Sequence, residues 1–275
     1  MIVFPNAKIN LGLYITHKRE DGYHDIVTAI LPIDWCDILE IVPAKGDNTT
    51  LTVTGRCVDC PQEKNLVMRA YRAVADRYDI PPVDIYLHKI IPDGAGLGGG
   101  SADASFTIKA LNKLFHLDLC NETMAEIAGT IGSDCPFFVY NTPMLATGTG
   151  TTMTPIEVNL HGYSVAVIKP NVHVSTAEAY GGCHPQPAGI DLQQVLLTVP
   201  VAEWLASGVK NDFEETVFPR HPAIADVKAT LYRLGAEYAA MSGSGASVFG
   251  IFRRDILADE IVSVLPGTDI HVAKL

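Results

Sequence analysis

Pro92-Asp-Gly-Ala-Gly-Leu-Gly-Gly-Gly-Ser-Ala-Asp-Ala-Ser105 is the stretch that decides how this chain folds. Without Cβ atoms, Gly94, Gly96, Gly98, Gly99 and Gly100 tolerate positive φ and let backbone N–H groups close on an anion. The unpaired amides of a helix starting near Ser101 add partial positive charge. A flexible linker is the competing reading, but a linker is not wedged between a strand pattern and a helix pattern. Upstream, Val83, Ile85 and Leu87 alternate with Asp84, Tyr86 and His88, which predicts a strand with one buried face, stopped by Pro92. Downstream, Ala104, Ile108, Leu111 and Phe115 recur at helical spacing. The unit reads as strand, glycine loop, helix.

Three phosphate patterns share that unit. Gly94, Gly96 and Gly99 satisfy G-x-G-x-x-G, though glycines this dense satisfy it in many ways. A Walker A loop needs Lys before Ser or Thr, and Gly100 is followed directly by Ser101, so that reading fails. A Rossmann unit needs a ribose-binding acid about 20 residues on, at the end of a strand. Asp118 stands at roughly that distance with no β run leading to it, which leaves a dinucleotide dehydrogenase as a rival.

Composition narrows the setting. A length of 275 residues gives a prior of about two domains, and 48% hydrophobic residues supply their cores. A net charge of −11 argues against a nucleic-acid partner, which calls for a basic footprint. No apolar run reaches transmembrane length, and Pro5 and Lys8 stand where a signal peptide has its apolar core. A cytoplasmic chain with no membrane partner is the expectation. Cys57 and Cys60 make a lone C-x-x-C with no second pair at zinc spacing, and no metal site is assigned. Cys36, Cys120, Cys135 and Cys183 read as small hydrophobes.

The segment Ala7-Lys-Ile-Asn-Leu-Gly-Leu-Tyr-Ile15 alternates, with Ile9, Leu11, Leu13 and Ile15 on one face and Lys8, Asn10 and Gly12 on the other. A lysine in such a pattern ordinarily marks a solvated face. Asp21-Gly22 then signals a tight hairpin turn. Tyr23 and His24 follow it, an aromatic platform with a hydrogen-bonding edge able to stack on a base.

Taken together, the Ala-Lys-Ile-Asn-Leu and Asp-Gly-Tyr-His elements of residues 5–24, the glycine loop, and Met241-Ser-Gly-Ser-Gly-Ala-Ser-Val-Phe249 resemble the galactokinase, homoserine kinase, mevalonate kinase and phosphomevalonate kinase (GHMP) family. The three blocks occur in the family's order and span nearly the whole chain. The resemblance implies an α+β, two-domain fold: residues 1–150 as an ATP-binding domain, residues 151–275 as a substrate-binding domain, and an active site in the cleft between them. The first two elements resemble the member that recognises a cytidine diphosphate substrate. The implied reaction is ATP-dependent phosphorylation of the 2-hydroxyl of 4-diphosphocytidyl-2-C-methyl-D-erythritol, a step toward isoprenoid precursors.

Position by position, the resemblance makes Lys8 and Asp134 the catalytic pair. It puts Asn10 near the methylerythritol, Tyr23 and His24 at the cytosine, Tyr180 over the other face of the base, and Thr176 beside the substrate. Gly94, Ala95, Gly96, Leu97, Gly98, Gly99, Gly100, Ser101 and Ala102 match the phosphate loop, and Asn65, Leu66, Val67, Lys89 and Asn112 match the adenine surroundings. Mg2+ is expected to travel with ATP, with no protein ligand assigned. Gly99 and Gly100 stand where the family usually has a serine pair, and Asp103 in the first helical turn reads as a dipole partner. Gly148 to Thr152 lacks the charged residues expected there. Asp134 has an alternative as a helix N-cap.

Elsewhere, Thr147 to Pro155 reads as a junction, Tyr163 to Ile168 as a strand, and Gln193 to Leu205 and Ala223 to Leu234 as helices. Gly243-Ser244-Gly245 reads as a tight turn before a strand at Val248 to Phe252. A related kinase acting on another small alcohol and a catalytically silent nucleotide-binding protein remain the alternatives, as a monomer or a homodimer.

Overall fold

In the computed structural model, which describes residues 1–58 and 60–275, the expected strand, loop and helix run as Val83–Lys89, a glycine turn and Gly99–Leu114. In chain order the strands are β1 (Ile2–Val3), β2 (Asn6–Lys18), β3 (His24–Cys36), β4 (Ile38–Pro43), β5 (Thr50–Gly55), β6 (Val83–Lys89), β7 (Met144–Gly148), β8 (Thr152–Pro155), β9 (Ser164–Lys169), β10 (Tyr238–Met241), β11 (Val248–Phe252) and β12 (Asp269–Lys274). The helices are α1 (Leu66–Tyr78), α2 (Gly99–Leu114), α3 (Asn121–Gly129), α4 (Cys135–Tyr140), α5 (Thr176–Tyr180), α6 (Leu192–Thr198), α7 (Glu214–Val217), α8 (Pro222–Arg233) and α9 (Ala258–Val262).

The chain forms two units. The first comprises residues 1–7, 35–93 and 98–142, and the second residues 8–34, 94–97 and 143–275. Residues 8–34, 94–97 and 143–150 fall in the second unit, where a division at residue 150 would leave them in the first. The reason is strand pairing: β3 pairs antiparallel with β7, which pairs with β8, so the N-terminal hairpin belongs to a sheet completed late in the chain.

In the first unit the sheet order is β1-β4-β6-β5, with β5 parallel to β6 and the other pairs antiparallel. β6 alternates as its sequence predicts, with Val83, Ile85 and Leu87 buried and Tyr86 and His88 exposed. Those buried residues share a core with Val67 and Val74 of α1, Ile108 and Leu111 of α2 and Ile127 of α3. The apolar stripe of α2 is what docks it on the sheet and fixes where its N-terminus lies.

The second unit holds two sheets, β2-β3-β7-β8 and β10-β11-β9-β12. Its core joins Leu13 and Ile15 of β2 to Ile168, Val248 and Phe252, under Ile224, Val227 and Leu231 of α8. β2 is buried along both faces from Asn6 to Ile15, so the Lys8 face is not the solvated one that alternation alone suggests. Asp21-Gly22 makes the expected turn: Gly22 has φ +86° and its N–H donates to Arg19 O at 3.2 Å.

Two expectations change. Thr147 to Pro155 is the β7–β8 hairpin, not a junction, and Gly150 at φ +88° turns it. The expected helix from Gln193 to Leu205 ends at Thr198, because Pro200 cannot continue it, and a short turn at Val201–Glu203 follows.

Candidate functional site

In the first unit the site begins at the N-terminus of α2. Gly98, at φ +71°, is the N-cap, and its carbonyl accepts the Ala102 N–H at 2.9 Å. Leu66 touches this end: a Cβ on Gly100 would lie 3.4 Å from Leu66 Cδ1. Asn65 caps α1, its Oδ1 accepting the Val67 N–H at 2.9 Å, while the Val67 side chain is wholly buried in the core.

Beneath the helix terminus lies a buried ionic group. Lys89 Nζ donates to Asp103 Oδ2 at 2.7 Å and to Asp37 Oδ2, and a Cβ on Gly99 would be 3.4 Å from the same ammonium. Asp37 Oδ1 also accepts the N–H groups of Ile90 and Ile91, which fixes the chain leading into the glycines. Burial pulls the Lys89 pKa down, and the Asp103 and Asp37 carboxylates more than offset it, so it stands above the ordinary lysine value. Burial raises the Asp103 carboxyl well above its ordinary value, and Lys89 opposes the rise. The acid is thus a partner of Lys89 below the loop.

Asp134 occupies the N-cap position of α4, but its side chain makes no capping hydrogen bond. Its neighbour Cys135 fastens α4 to α2, with Ser105 Oγ donating to Cys135 O at 2.6 Å. Burial pushes the Cys135 thiol up to about 11, against a hydrogen bond with Ser101 that lowers it. The unit therefore brings Ser101 beside the 134–135 segment. Asn112 stands apart, 13 positions along α2 from Gly99, roughly 20 Å at 1.5 Å per residue. Its amide holds Leu119 instead, donating to the carbonyl at 3.1 Å and accepting the N–H at 3.0 Å.

In the second unit, Lys8 and Asn10 are both buried, and Lys8 Nζ donates to Asn10 Oδ1 at 2.5 Å. Asn10 Nδ2 donates to Thr28 Oγ1 at 3.0 Å, and Thr28 Oγ1 donates in turn to Gly12 O at 2.6 Å. Lys8 N–H donates to Leu97 O at 2.9 Å, which ties β2 to the glycine segment. That segment interlocks with the C-terminal glycines. Ser242 Oγ donates to Gly96 O at 2.9 Å, Ser247 N–H to Ala95 O at 3.1 Å, and a Cβ on Gly96 would fall 2.0 Å from Ser242 O. Three blocks distant in sequence meet here.

An aromatic group completes this unit's part. His24 and Tyr180 stack on each other, with centroids 4.8 Å apart and planes at 25°, and Phe213 meets Tyr180 edge-on at 4.8 Å. The rings of His24 and Tyr180 leave no slot for a base between them. Tyr23 is 67% exposed. Burial and then Lys18 lower the His24 pKa, which keeps its ring neutral at pH 7, with one donor and one acceptor nitrogen. Thr176 opens α5 and lies 3.4 Å from Ser244 Oγ.

Comparison with known proteins gives this arrangement its lineage. Residues 65–142 match the family model "GHMP kinases N terminal domain" and residues 199–268 match "GHMP kinases C terminal". A protein of Parabacteroides distasonis named 4-diphosphocytidyl-2-C-methyl-D-erythritol kinase is 54% identical over 254 residues, 92% of each chain. The chain belongs to the GHMP kinase family. A Bacteroides thetaiotaomicron protein of the same name is 45% identical to this GHMP kinase, over 98% of this chain and 96% of its own. A crystal structure of 4-(cytidine 5'-diphospho)-2C-methyl-D-erythritol kinase superposes with a TM-score of 0.78 at 28% identity, covering all of both chains. The mevalonate kinase of Methanococcus jannaschii shares the fold, with a TM-score of 0.70 at 17% identity over 100% of this chain and 98% of its own.

Sequence reasoning passed over Asn211, Asp212 and Glu214. Asn211 Nδ2 donates to Met241 O and Gly243 O, Asp212 Oδ2 accepts Ile15 N–H, and Glu214 Oε1 accepts Met241 N–H. Asn-Asp-Phe-Glu carries no period or known spacing, and only the acid content of a segment between turns set it apart. Asp37 was also missed, since its partners stand 52 to 54 positions away.

Proposed function

We propose that this GHMP kinase transfers the γ-phosphoryl group of ATP to the 2-hydroxyl of 4-diphosphocytidyl-2-C-methyl-D-erythritol, a step in isoprenoid precursor synthesis. The observation that carries this reading is the pairing, within one unit, of the buried Lys8–Asn10 couple with the Tyr23, His24 and Tyr180 aromatic group. The first suits a reacting hydroxyl and phosphoryl, the second a pyrimidine base.

The glycine segment fits a nucleotide. Gly94, Gly96 and Gly98 all have positive φ, and no side chain stands at these positions to block an approaching phosphate. Mg2+ carried with the nucleotide neutralises phosphate charge. Asp103 is committed to Lys89, so Ser101 would be the hydroxyl at the α2 N-terminus able to hold the ion.

Phosphoryl transfer passes through a loose transition state, so the residues act by alignment and charge. Lys8 stabilises the charge on the transferring group, and Asn10 aims the Lys8 ammonium. Asp134 orients the 2-hydroxyl and accepts its proton late, because a carboxylate is a weak base toward an intact alcohol. The O–P bond to the acceptor forms, the bond to ADP breaks, and ADP leaves with the electron pair. Cytosine stacks on the exposed Tyr23 ring, the His24–Tyr180 stack closes its other side, and neutral His24 meets its polar edge. In this reading Asn65 and Leu66 border the adenine, and Val67, whose side chain is buried, contributes backbone only.

A coupled ADP-release assay across cytidylylated and free polyols tests this. Release confined to the cytidine diphosphate substrate is the expected result. Equal release with free polyols points to another alcohol kinase, and none with any acceptor overturns the reading.

A further inference from the structure

We infer that Asn211 is a positioning residue for phosphoryl transfer, because its side-chain amide fixes the turn at residues 241–245 against Asn10 and the Gly96 carbonyl. The inference rests on the function proposed above and adds a residue to it.

The geometry is complete on all three polar positions of the amide. Asn211 is 1% exposed; Nδ2 donates to Met241 O at 2.7 Å and to Gly243 O at 2.8 Å, while Oδ1 accepts the Phe213 N–H at 3.0 Å. The turn that it holds has Gly243 at φ +55° and Gly245 at φ +94°. Glycines bring no side chains to restrain such a turn, so restraint must come from a neighbour. What the turn touches gives the restraint its purpose. A Cβ on Gly243 would sit 3.3 Å from Gly96 O and 3.4 Å from Asn10 Oδ1, the oxygen that holds Lys8. Displacing the turn therefore displaces the groups that aim the ammonium.

The next three residues bind the same frame. Asp212 accepts Ile15 N–H at 2.9 Å on the strand bearing Lys8, and Phe213 packs edge-on to Tyr180. Glu214 accepts Met241 N–H at 2.8 Å and is itself paired with Lys228 at 2.5 Å. Four consecutive residues thus reach the lysine strand, the glycine turn and the base-stacking ring. Among them Asn211 alone grips the turn by two carbonyls, so its loss cannot be covered by the others.

A merely structural Asn211 would lower stability without altering the turnover of folded molecules. Asn211→Asp keeps the size and the acceptor for Phe213 but aims an oxygen at two carbonyls. Val227→Ala, a buried position on α8, is the control that loses stability away from the turn. Turnover per folded molecule should fall about 100-fold in Asn211→Asp, with the KM for ATP moved less than about threefold, and stay at the wild-type value in Val227→Ala. Hydrogen exchange over residues 241–247, measured with no substrate, should quicken in Asn211→Asp only. Turnover per folded molecule equal to that of Val227→Ala, or unchanged exchange across the turn, overturns the inference. A wild type that releases no ADP with any acceptor overturns the proposed function instead, and the exchange measurement then decides the anchoring alone.

Discussion

The Lys8 ammonium donates to the Asn10 side-chain carbonyl at 2.5 Å, between two buried side chains separated by one residue of β2. A cation so held cannot swing away, which suits a charge meant to meet the transferring phosphoryl group. Lys8→Met should lower turnover about 10²- to 10³-fold, the usual cost of removing one preorganised electrostatic donor. Steady-state ADP release from enzyme shown folded by circular dichroism is the measurement. Turnover within a factor of a few of wild type would sink the role.

The buried Lys89 group makes a stability prediction. Lys89→Met leaves two carboxylates facing each other without their cation, at a cost of about 3–5 kcal/mol. The sign of the pH effect follows from the raised pKa values. The Lys89 contribution is fully present below the ordinary lysine value and is lost as pH rises through its higher folded value. Asp103, also raised, favours the folded state below the ordinary carboxylate range, and that contribution is lost as pH rises toward neutrality. Asp103→Asn should flatten the fall of Tm over that range, as read by calorimetry. An unchanged slope would rule the carboxyl out as its source.

Base recognition gives a third. Removing one aromatic face from a stacked base costs about 1–3 kcal/mol, so Tyr180→Ala or Tyr23→Ala should raise KM for the cytidine substrate about 5- to 150-fold. KM for ATP should stay put. A rise in both constants would mean that the rings support the fold rather than the base.

The two ends of the first glycine triplet should differ. Gly96 has φ +74° and a Cβ there would collide with backbone at 2.0 Å, whereas one at Gly94, φ +59°, meets only the movable ring of His173 at 3.3 Å. Gly96→Ala should abolish ADP release or folding, and Gly94→Ala should retain measurable turnover. Equal loss in both would show that conformational strain, not the contact with Ser242, decides.

Much of this was legible in the sequence because it was local. β6 and α2 follow from hydrophobic period, the turn at Gly22 from Asp-Gly, and the two glycine blocks from composition. What stayed hidden is pairing at a distance. Lys8 reads as a surface lysine in isolation, and only the packing of β2 on both faces buries it. Likewise the resemblance sets Lys89 beside adenine, whereas Asp37 and Asp103 claim its ammonium, and it groups Asn112 with Asn65 although α2 carries Asn112 to the other end. Apolar spacing carries the expected helix on to Leu205, but Pro200 ends it at Thr198.

The hairpin of β2 and β3 finds its partner strand only in β7, and Leu13 finds Asn211 later still. During synthesis Leu13 and Ile15 therefore emerge long before the core that covers them exists, while residues 35–93 and 98–142 can already settle into a sheet with its helices. A nascent chain stalled before Met144 would keep Leu13 and Ile15 uncovered, an open target for chaperones.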